Sequence, residues 1–301
     1  MESPQVLTSS RYDSRVVPLT AASIIVPTYH EAPNIEPLVT RVFAATIQAG
    51  IGVELIIVDD DSQDGTEQIV ERLRERYPVR LVVRRGERGL SGAVLAGFRE
   101  AKFDRFVVLD ADLQHPPEMV PQLLTRLDQG DCDFVIGTRY GQSGAIADDW
   151  PIMRRLGSAA ATILARPLAR LSDPMSGFFA LHRRTWEQAA PLDPIGYKIA
   201  LELFVKSRCR RPAEVPITFA SRTAGASKAS FAEGRRYLRH LARLYRFRFP
   251  RLTLALPILL ILVAALLILF WACRSTPHSF VHSTISTRSS TLHIEATTNE
   301  S

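Results

Sequence analysis

The sequence predicts an α/β sandwich built on a largely parallel sheet. Two observations carry this. Between Ala22 and Phe219 short β-branched runs alternate with longer amphipathic segments, the pattern of strands joined by crossover helices. Gly50, Pro78 and Gly130 stand where those amphipathic segments end, as helix-terminating residues should. A third observation is length: 301 residues hold one domain of about 200 to 250 residues with appendages at both ends.

Taken in order, residues 1–20 contain no continuous apolar stretch and begin with an acid, so they form no signal peptide and are expected as a loose, disordered arm. Strands are expected at residues 23–27, 53–59, 79–84, 105–110 and 134–137. Helices are expected at 34–49, 66–77, 91–101 and 117–127, and the whole α/β domain at 21–230. Residues 231–250 read as a basic amphipathic helix. Leu238, Leu241, Leu244 and Tyr245 share one face, and Arg235, Arg239, Arg243 and Arg246 fall largely on another. Such a helix is expected to lie in a membrane interface, held by anionic lipid at ~1 kcal/mol per charge.

Residues 252–273 carry no charge, and 14 of the 22 are Leu, Ile, Val or Phe. As a helix they span ~30 Å of hydrocarbon, and insertion is favoured by roughly 4 to 8 kcal/mol. A single transmembrane helix is therefore expected. Seven arginines precede it from Arg235 to Arg251, and Arg274 alone closely follows, which puts the large N-terminal part on the cytoplasmic side. The Ser/Thr-rich tail, 274–301, has no apolar periodicity and is expected to be disordered.

Composition excludes several classes. At 46% hydrophobic and 23% charged residues the chain is not wholly disordered. Cys132, Cys209 and Cys273 form no close pair, so neither a disulfide framework nor a structural zinc site is expected. The net charge of +6 is concentrated between residues 235 and 251, and the remainder is close to neutral, so this is not a nucleic-acid-coating protein. Thirty-three arginines against four lysines point to GC-rich coding and a prokaryotic cell membrane, the endoplasmic reticulum membrane being the eukaryotic counterpart.

Ligands of open α/β sheets bind beyond the carboxyl ends of the strands. Here those ends read Pro27-Thr28-Tyr29-His30-Glu31, then Asp59-Asp60-Asp61-Ser62, then Asp110-Ala111-Asp112-Leu113-Gln114. Ser62 and Asp64 suit turns and helix caps. The other acids are too many for that role and make a site for a cation or for hydroxyl donors. Asp110 and Asp112, two apart on extended backbone, share a face. Oxygen ligands of this kind suit Mg2+ or Mn2+ alongside substrate phosphate. Gly86, Gly89 and Gly92 do not have dinucleotide-loop spacing and follow the third strand, which excludes a nicotinamide enzyme. His115 has no second His or Cys at metal spacing, and a supporting or loop role is expected for it.

These motifs, with Asp173-Pro174-Met175-Ser176-Gly177-Phe178-Phe179, together resemble the family 2 glycosyltransferases, and within them the dolichyl-phosphate (polyprenyl-phosphate) mannose synthases. The resemblance runs in order from about Ser23 to Lys228. Asp193-Pro194-Ile195-Gly196-Tyr197-Lys198 and the pair Arg222 and Lys228 point to the mannose synthases in particular. His30 departs from the family's usual Asn. The resemblance implies a GT-A-like fold and transfer of mannose, with inversion, from GDP-mannose to dolichyl or polyprenyl phosphate. It implies that Pro27, Tyr29, Glu31, Val58 and Asp60 hold the nucleoside and that Asp110 and Ala111 line the ribose and phosphate. Asp112 and Gln114 are implied as metal ligands, with Arg222 and Lys228 on the diphosphate and Arg139 and Arg154 on the acceptor phosphate. The rival readings are the same fold using another nucleotide sugar, such as UDP-glucose, and a non-catalytic membrane-anchored subunit.

Overall fold

The computed structural model describes residues 21–86, 88–140, 145–146, 152–193, 195–220, 231–251 and 253, without the side chains of 145–146, 152–156 and 231–232. The chain divides into two compact units, Met1–Pro250 and Arg251–Ser301, and every element below belongs to the first. The expected N-terminal arm, the tail at 274–301 and all but Thr253 of the apolar run at 252–273 lie outside the described residues. Among the described residues no helix is long and apolar enough to cross a membrane.

The order of elements is β1 (Ala21–Thr28), α1 (Ala32–Gln48), β2 (Gly52–Asp59), α2 (Thr66–Arg74), β3 (Val79–Val83), α3 (Leu90–Glu100), β4 (Arg105–Val108), α4 (Val120–Asp128), β5 (Phe134–Thr138), β6 (Ala145–Ile146), α5 (Ile152–Ala165), β7 (Phe179–His182), α6 (Arg183–Glu187), α7 (Ile199–Lys206), β8 (Pro212–Pro216), β9 (Thr218–Phe219) and α8 (Phe231–Arg248). The main sheet runs β3-β2-β1-β4-β7-β5-β8, and β6 pairs with β9. All pairings are parallel except those of β7, which lies antiparallel between β4 and β5.

Side chains alternate across the sheet and feed two cores. Ile24, Val26, Leu55, Ile57 and Val107 pack under α1, α2 and α4. Ile25, Ile56, Val58, Phe106 and Val108 pack under α3, α7 and α8. Strands buried on both faces are expected to be apolar throughout. The parallel set β1, β2 and β4 brings three strand ends to one edge of the sheet, with Thr28 opposite Asp59.

The last helix corrects an expectation. Leu241 and Leu244 of α8 are 4% and 1% exposed, buried in the core beside α7 rather than turned to lipid. Tyr237 and Tyr245 donate their hydroxyls to the Ala161 and Leu164 carbonyls at 2.7 and 2.8 Å. His240 Nε2 lies 3.2 Å from Glu202 Oε2 of α7, and Lys206 Nζ 2.6 Å from Glu202 Oε1. Most of the apolar face of α8 is used by the unit that ends at Pro250, Leu238 excepted. Arg235, Arg239, Arg246 and Leu238 remain exposed.

Candidate active site

The acids at the three strand ends are held by turns of unusual backbone. Five non-glycine residues have positive φ among the described residues, and four of them are His30, Asp61, Gln63 and Leu113, directly after β1, β2 and β4. Such conformations cost about 1 to 3 kcal/mol each and persist where surrounding structure enforces them. His tolerates the left-handed region several-fold better than most residues, which accounts for His30 in a place where the family has Asn.

Local bonds fix these turns. Asp59 accepts from the Ser62 amide at 2.8 Å and from its hydroxyl at 2.5 Å, and Ser62 Oγ accepts from the His30 amide at 2.9 Å. Asp64 accepts from the Ala32 amide at 3.1 Å and the Thr66 hydroxyl at 2.7 Å. Partial burial opposes ionisation of Asp64, but these donors together hold its carboxyl below the usual value. Ser62 and Asp64 are thus turn residues, as the sequence implied. Glu31 Oε2 accepts from Asn34 Nδ2 at 2.7 Å.

Asp60 is clamped from two sides, by Arg84 Nη1 at 2.5 Å on Oδ1 and by the Gly89 amide at 2.6 Å on Oδ2. Gly89 has φ +151, which favours glycine there. Arg88 Nη1 donates to the Tyr29 hydroxyl at 2.7 Å and its guanidinium carbon lies 4.8 Å from the ring centroid. Pro27, Val58 and Ala111 are buried, and the side chains of Val58 and Ala111 belong to the two cores, so at those two positions only backbone atoms face a ligand.

At the end of β4 the Asp110 amide donates to Nδ1 of His115 at 3.3 Å, leaving the proton on Nε2. His115 is buried between Phe178 and Phe219, with centroids 5.4 and 5.2 Å away. Burial holds its pKa below the ordinary value, against the pull of Asp110 and Asp112, so it is a neutral support for the turn. A Cβ at Gly177 would stand 3.1 Å from Asp110 Oδ2 and 3.4 Å from His115 Cε1, so the Ser-Gly-Phe-Phe segment needs its glycine for close approach.

Asp112 Oδ1 accepts from the Gln114 amide at 3.1 Å. Gln114 Nε2 donates to the Ala220 carbonyl at 3.1 Å, which leaves Oε1 as the outward acceptor. A buried carboxylate and a buried amide oxygen are hard donors that fit a small divalent cation. No cluster of three or more His, Cys, Asp or Glu occurs among the described residues, so such a cation would complete its shell with substrate phosphate and water.

Arg139, expected on the acceptor phosphate, is paired with Asp173. Its Nε and Nη2 donate to Asp173 Oδ2 and Oδ1 at 2.6 and 2.9 Å, a bidentate pair in which Asp173 is 0% exposed. The Arg154 side chain, Arg222 and Lys228 fall outside the described residues. Sequence reasoning gave no role to Arg84, Arg88, Asp173 or Lys198. For Arg84 and Arg88 the signal was a basic cluster after the third strand, and for Asp173 and Lys198 it was membership of two quoted motifs. Lys198 Nζ donates to the Met175 carbonyl at 2.8 Å and sits 4.4 Å from the Tyr197 ring centroid.

Residues 23–188 match the family described as Glycosyl transferase family 2. The chain is 46% identical over 256 residues to the dolichol-phosphate mannosyltransferase of Mycosarcoma maydis, covering 82% of this chain and 87% of that protein. It is 49% identical over 236 residues to that of Saccharomyces cerevisiae, covering 75% and 88%. Among solved structures it resembles a mannosyltransferase from Pyrobaculum calidifontis in complex with GDP-Man and Mn2+, with a TM-score of 0.53 at 19% identity over 74% of this chain and 62% of that one. That likeness extends to the fold, which is GT-A-like. With its acids at three parallel strand ends and this degree of identity, the chain belongs to glycosyl transferase family 2.

Proposed function

We propose that this protein transfers mannose from GDP-mannose to dolichyl or polyprenyl phosphate. The observation that carries the reading is near-half identity, over most of both chains, to two dolichol-phosphate mannosyltransferases. The complex of GDP-Man and Mn2+ in a protein of the same fold supports the donor and a divalent metal.

In this reading the nucleoside lies along the ends of β1 and β2, against Tyr29, Glu31 and the fixed carboxylate of Asp60, with Pro27 and Val58 contributing backbone. Asp110 and Ala111 line the ribose and phosphates. Asp112 and Gln114 would hold Mg2+ or Mn2+, which when bound neutralises charge on the leaving diphosphate. Arg222 and Lys228 add cationic donors to the same oxygens, Arg222 as a fork and Lys228 as a point charge. The acceptor is a phosphate monoester with a second pKa near ~6, already anionic at neutral pH. It attacks the anomeric carbon as the GDP oxygen leaves, and no protein base is required. Arg139, held on Asp173, orders the acceptor side from behind, and Arg154 supplies charge toward the phosphate.

A lipid acceptor fits a membrane-anchored enzyme, with 252–273 as a single span and the catalytic unit on the cytoplasmic side. Exposed Ile163 and Leu164 on α5 and Leu238 on α8, beside exposed arginines of α8, support a surface that meets lipid. Radiolabelled GDP-mannose, UDP-glucose and UDP-galactose, each offered with polyprenyl phosphate, test the reading. Only GDP-mannose should label the lipid. Labelling from UDP-glucose instead would replace the donor and keep the fold and acceptor.

A further inference from the structure

We propose that Lys198 is a substrate-binding cation of the transfer reaction, its ammonium taking a phosphate oxygen in the space bordered by Asp110, Asp173 and Arg139. The inference rests on the reading above for the identity of the substrates, and on geometry for the residue.

Lys198 is the residue before α7, and of its three N–H bonds one is donated to the Met175 carbonyl. Among the described residues no carboxylate comes within ion-pair distance of Nζ, in contrast to Lys206 one helix length away, which meets Glu202 at 2.6 Å. The charges that act on it are the guanidinium of Arg139, then Asp173, which Arg139 already neutralises, and Asp110. A largely desolvated ammonium with two donors unused among the described residues is costly unless an anion meets it. The anions this site receives are the diphosphate of the donor and the phosphate monoester of the acceptor. They share one chemistry, an anionic phosphate oxygen. A lysine suits such an oxygen as a compact point charge with rotatable donors.

The position is built into the fold. Gly196 in the same loop accepts from Ser91 Oγ at 2.7 Å, at the start of α3, two residues from the Gly89 amide that holds Asp60. Met175 belongs to the segment that carries Asp173 and Gly177. Lys198 therefore joins the turn beside the nucleoside to the segment behind the sugar and phosphates. It does so where Arg139, with its fork on Asp173, does not.

The groups facing Lys198 are Asp110 after β4, Arg139 after β5, Asp173 before β7, and Tyr197 beside it, with Glu233 of α8 acting on Tyr197. Burial first, and then Arg139, bring the Lys198 pKa down to about 8, while Asp173 and Asp110 act the other way. The free enzyme accordingly loses this positive charge as pH rises through about 8, and a bound phosphate would hold the proton to higher pH.

The test uses the full chain in detergent with GDP-mannose and a short polyprenyl phosphate, comparing wild type, Lys198→Met and Lys198→Arg. Losing a hydrogen bond to a charged group costs roughly 1.5 to 3 kcal/mol, or ~10- to 100-fold. Lys198→Met should raise one KM by that factor and leave the other within about twofold. A rise for the acceptor assigns the ammonium to the lipid phosphate, and a rise for the donor assigns it to the diphosphate. Lys198→Arg should recover much of the loss and move the alkaline limb of kcat/KM upward by about a pH unit or more, because a guanidinium stays charged there. If Lys198→Met changes only kcat or melting temperature, with both KM values and the alkaline limb unchanged, the ammonium is a packing group and the inference fails. Equal rises in both KM values that Lys198→Arg does not rescue overturn it as well. A wild-type enzyme that labels no lipid from GDP-mannose would instead refute the proposed function.

Discussion

Two carboxylates of the site, at the end of β4 and behind β5, are oriented by opposite means. Asp112 is positioned by the neutral amide of Gln114, which directs an oxygen without cancelling its charge. Asp173, itself without exposure to solvent, is positioned by the full charge of Arg139 in a bidentate pair. The first arrangement keeps a negative centre that attracts a cation. The second removes one from play and leaves a rigid joint between β5 and the segment leading into β7. Asp60 stands between them, with one oxygen on a guanidinium and the other on an amide. A carboxylate's partner therefore separates a chemical role from a structural one better than its burial does, since all three are buried.

Removing each carboxylate should sharpen that contrast. Asp112→Ala is expected to abolish transfer, because Gln114 alone would not hold a divalent ion against water. Chelation of wild type should mimic it, with recovery on adding Mg2+ or Mn2+. Retained activity in the mutant, measured beside its urea denaturation curve, would remove Asp112 from the metal site. Asp173→Asn should act on stability instead. It removes the carboxylate charge that Nε and Nη2 of Arg139 meet, and a loss of roughly 3 to 5 kcal/mol of stability is expected. Equal midpoints for mutant and wild type in denaturant would show that the pair is not the joint described. Asp60→Asn should fall between. It keeps the shape and loses charge toward Arg84, so the donor KM should rise by ~10-fold or more for a charged bond of roughly 1.5 to 3 kcal/mol. An unchanged donor KM would separate Asp60 from the nucleoside.

The front of this contrast was legible in the sequence and the back was not. Part of each turn after β2 and β4 is made by residues within five positions of one another, such as Asp59 with Ser62 and Asp110 with His115, although His30 and Arg84 reach Ser62 and Asp60 from far along the chain. Short-range spacing reports such turns. Expected strands at 53–59 and 79–84 correspond to β2 and β3, and the helix expected at 66–77 to a shorter α2. By contrast Arg139 meets Asp173 across 34 residues, and no local pattern announces the meeting. Helix α7 was missed because Ile199 to Val205 are all buried, which erases the amphipathic period. Strand β7 was missed because Phe179, Ala180 and Leu181 are buried in succession, which leaves no alternation. Helix α8 was found, but its apolar stripe was assigned to lipid. A stripe of that kind reads the same whether it faces a bilayer or a domain core.

The antiparallel strand β7 also sets the order in which this protein completes itself on the ribosome. β4 and β5 are translated early, yet they are not neighbours, because Phe179–His182 lies between them. Until that segment emerges, two strands buried on both faces present open hydrogen-bonding edges, the kind of surface that pairs with other chains. Nascent chains that stop short of Phe179 should therefore aggregate even though five strands of the main sheet have been made. The same four residues that join β4 to β5 decide when those two facing edges are first covered.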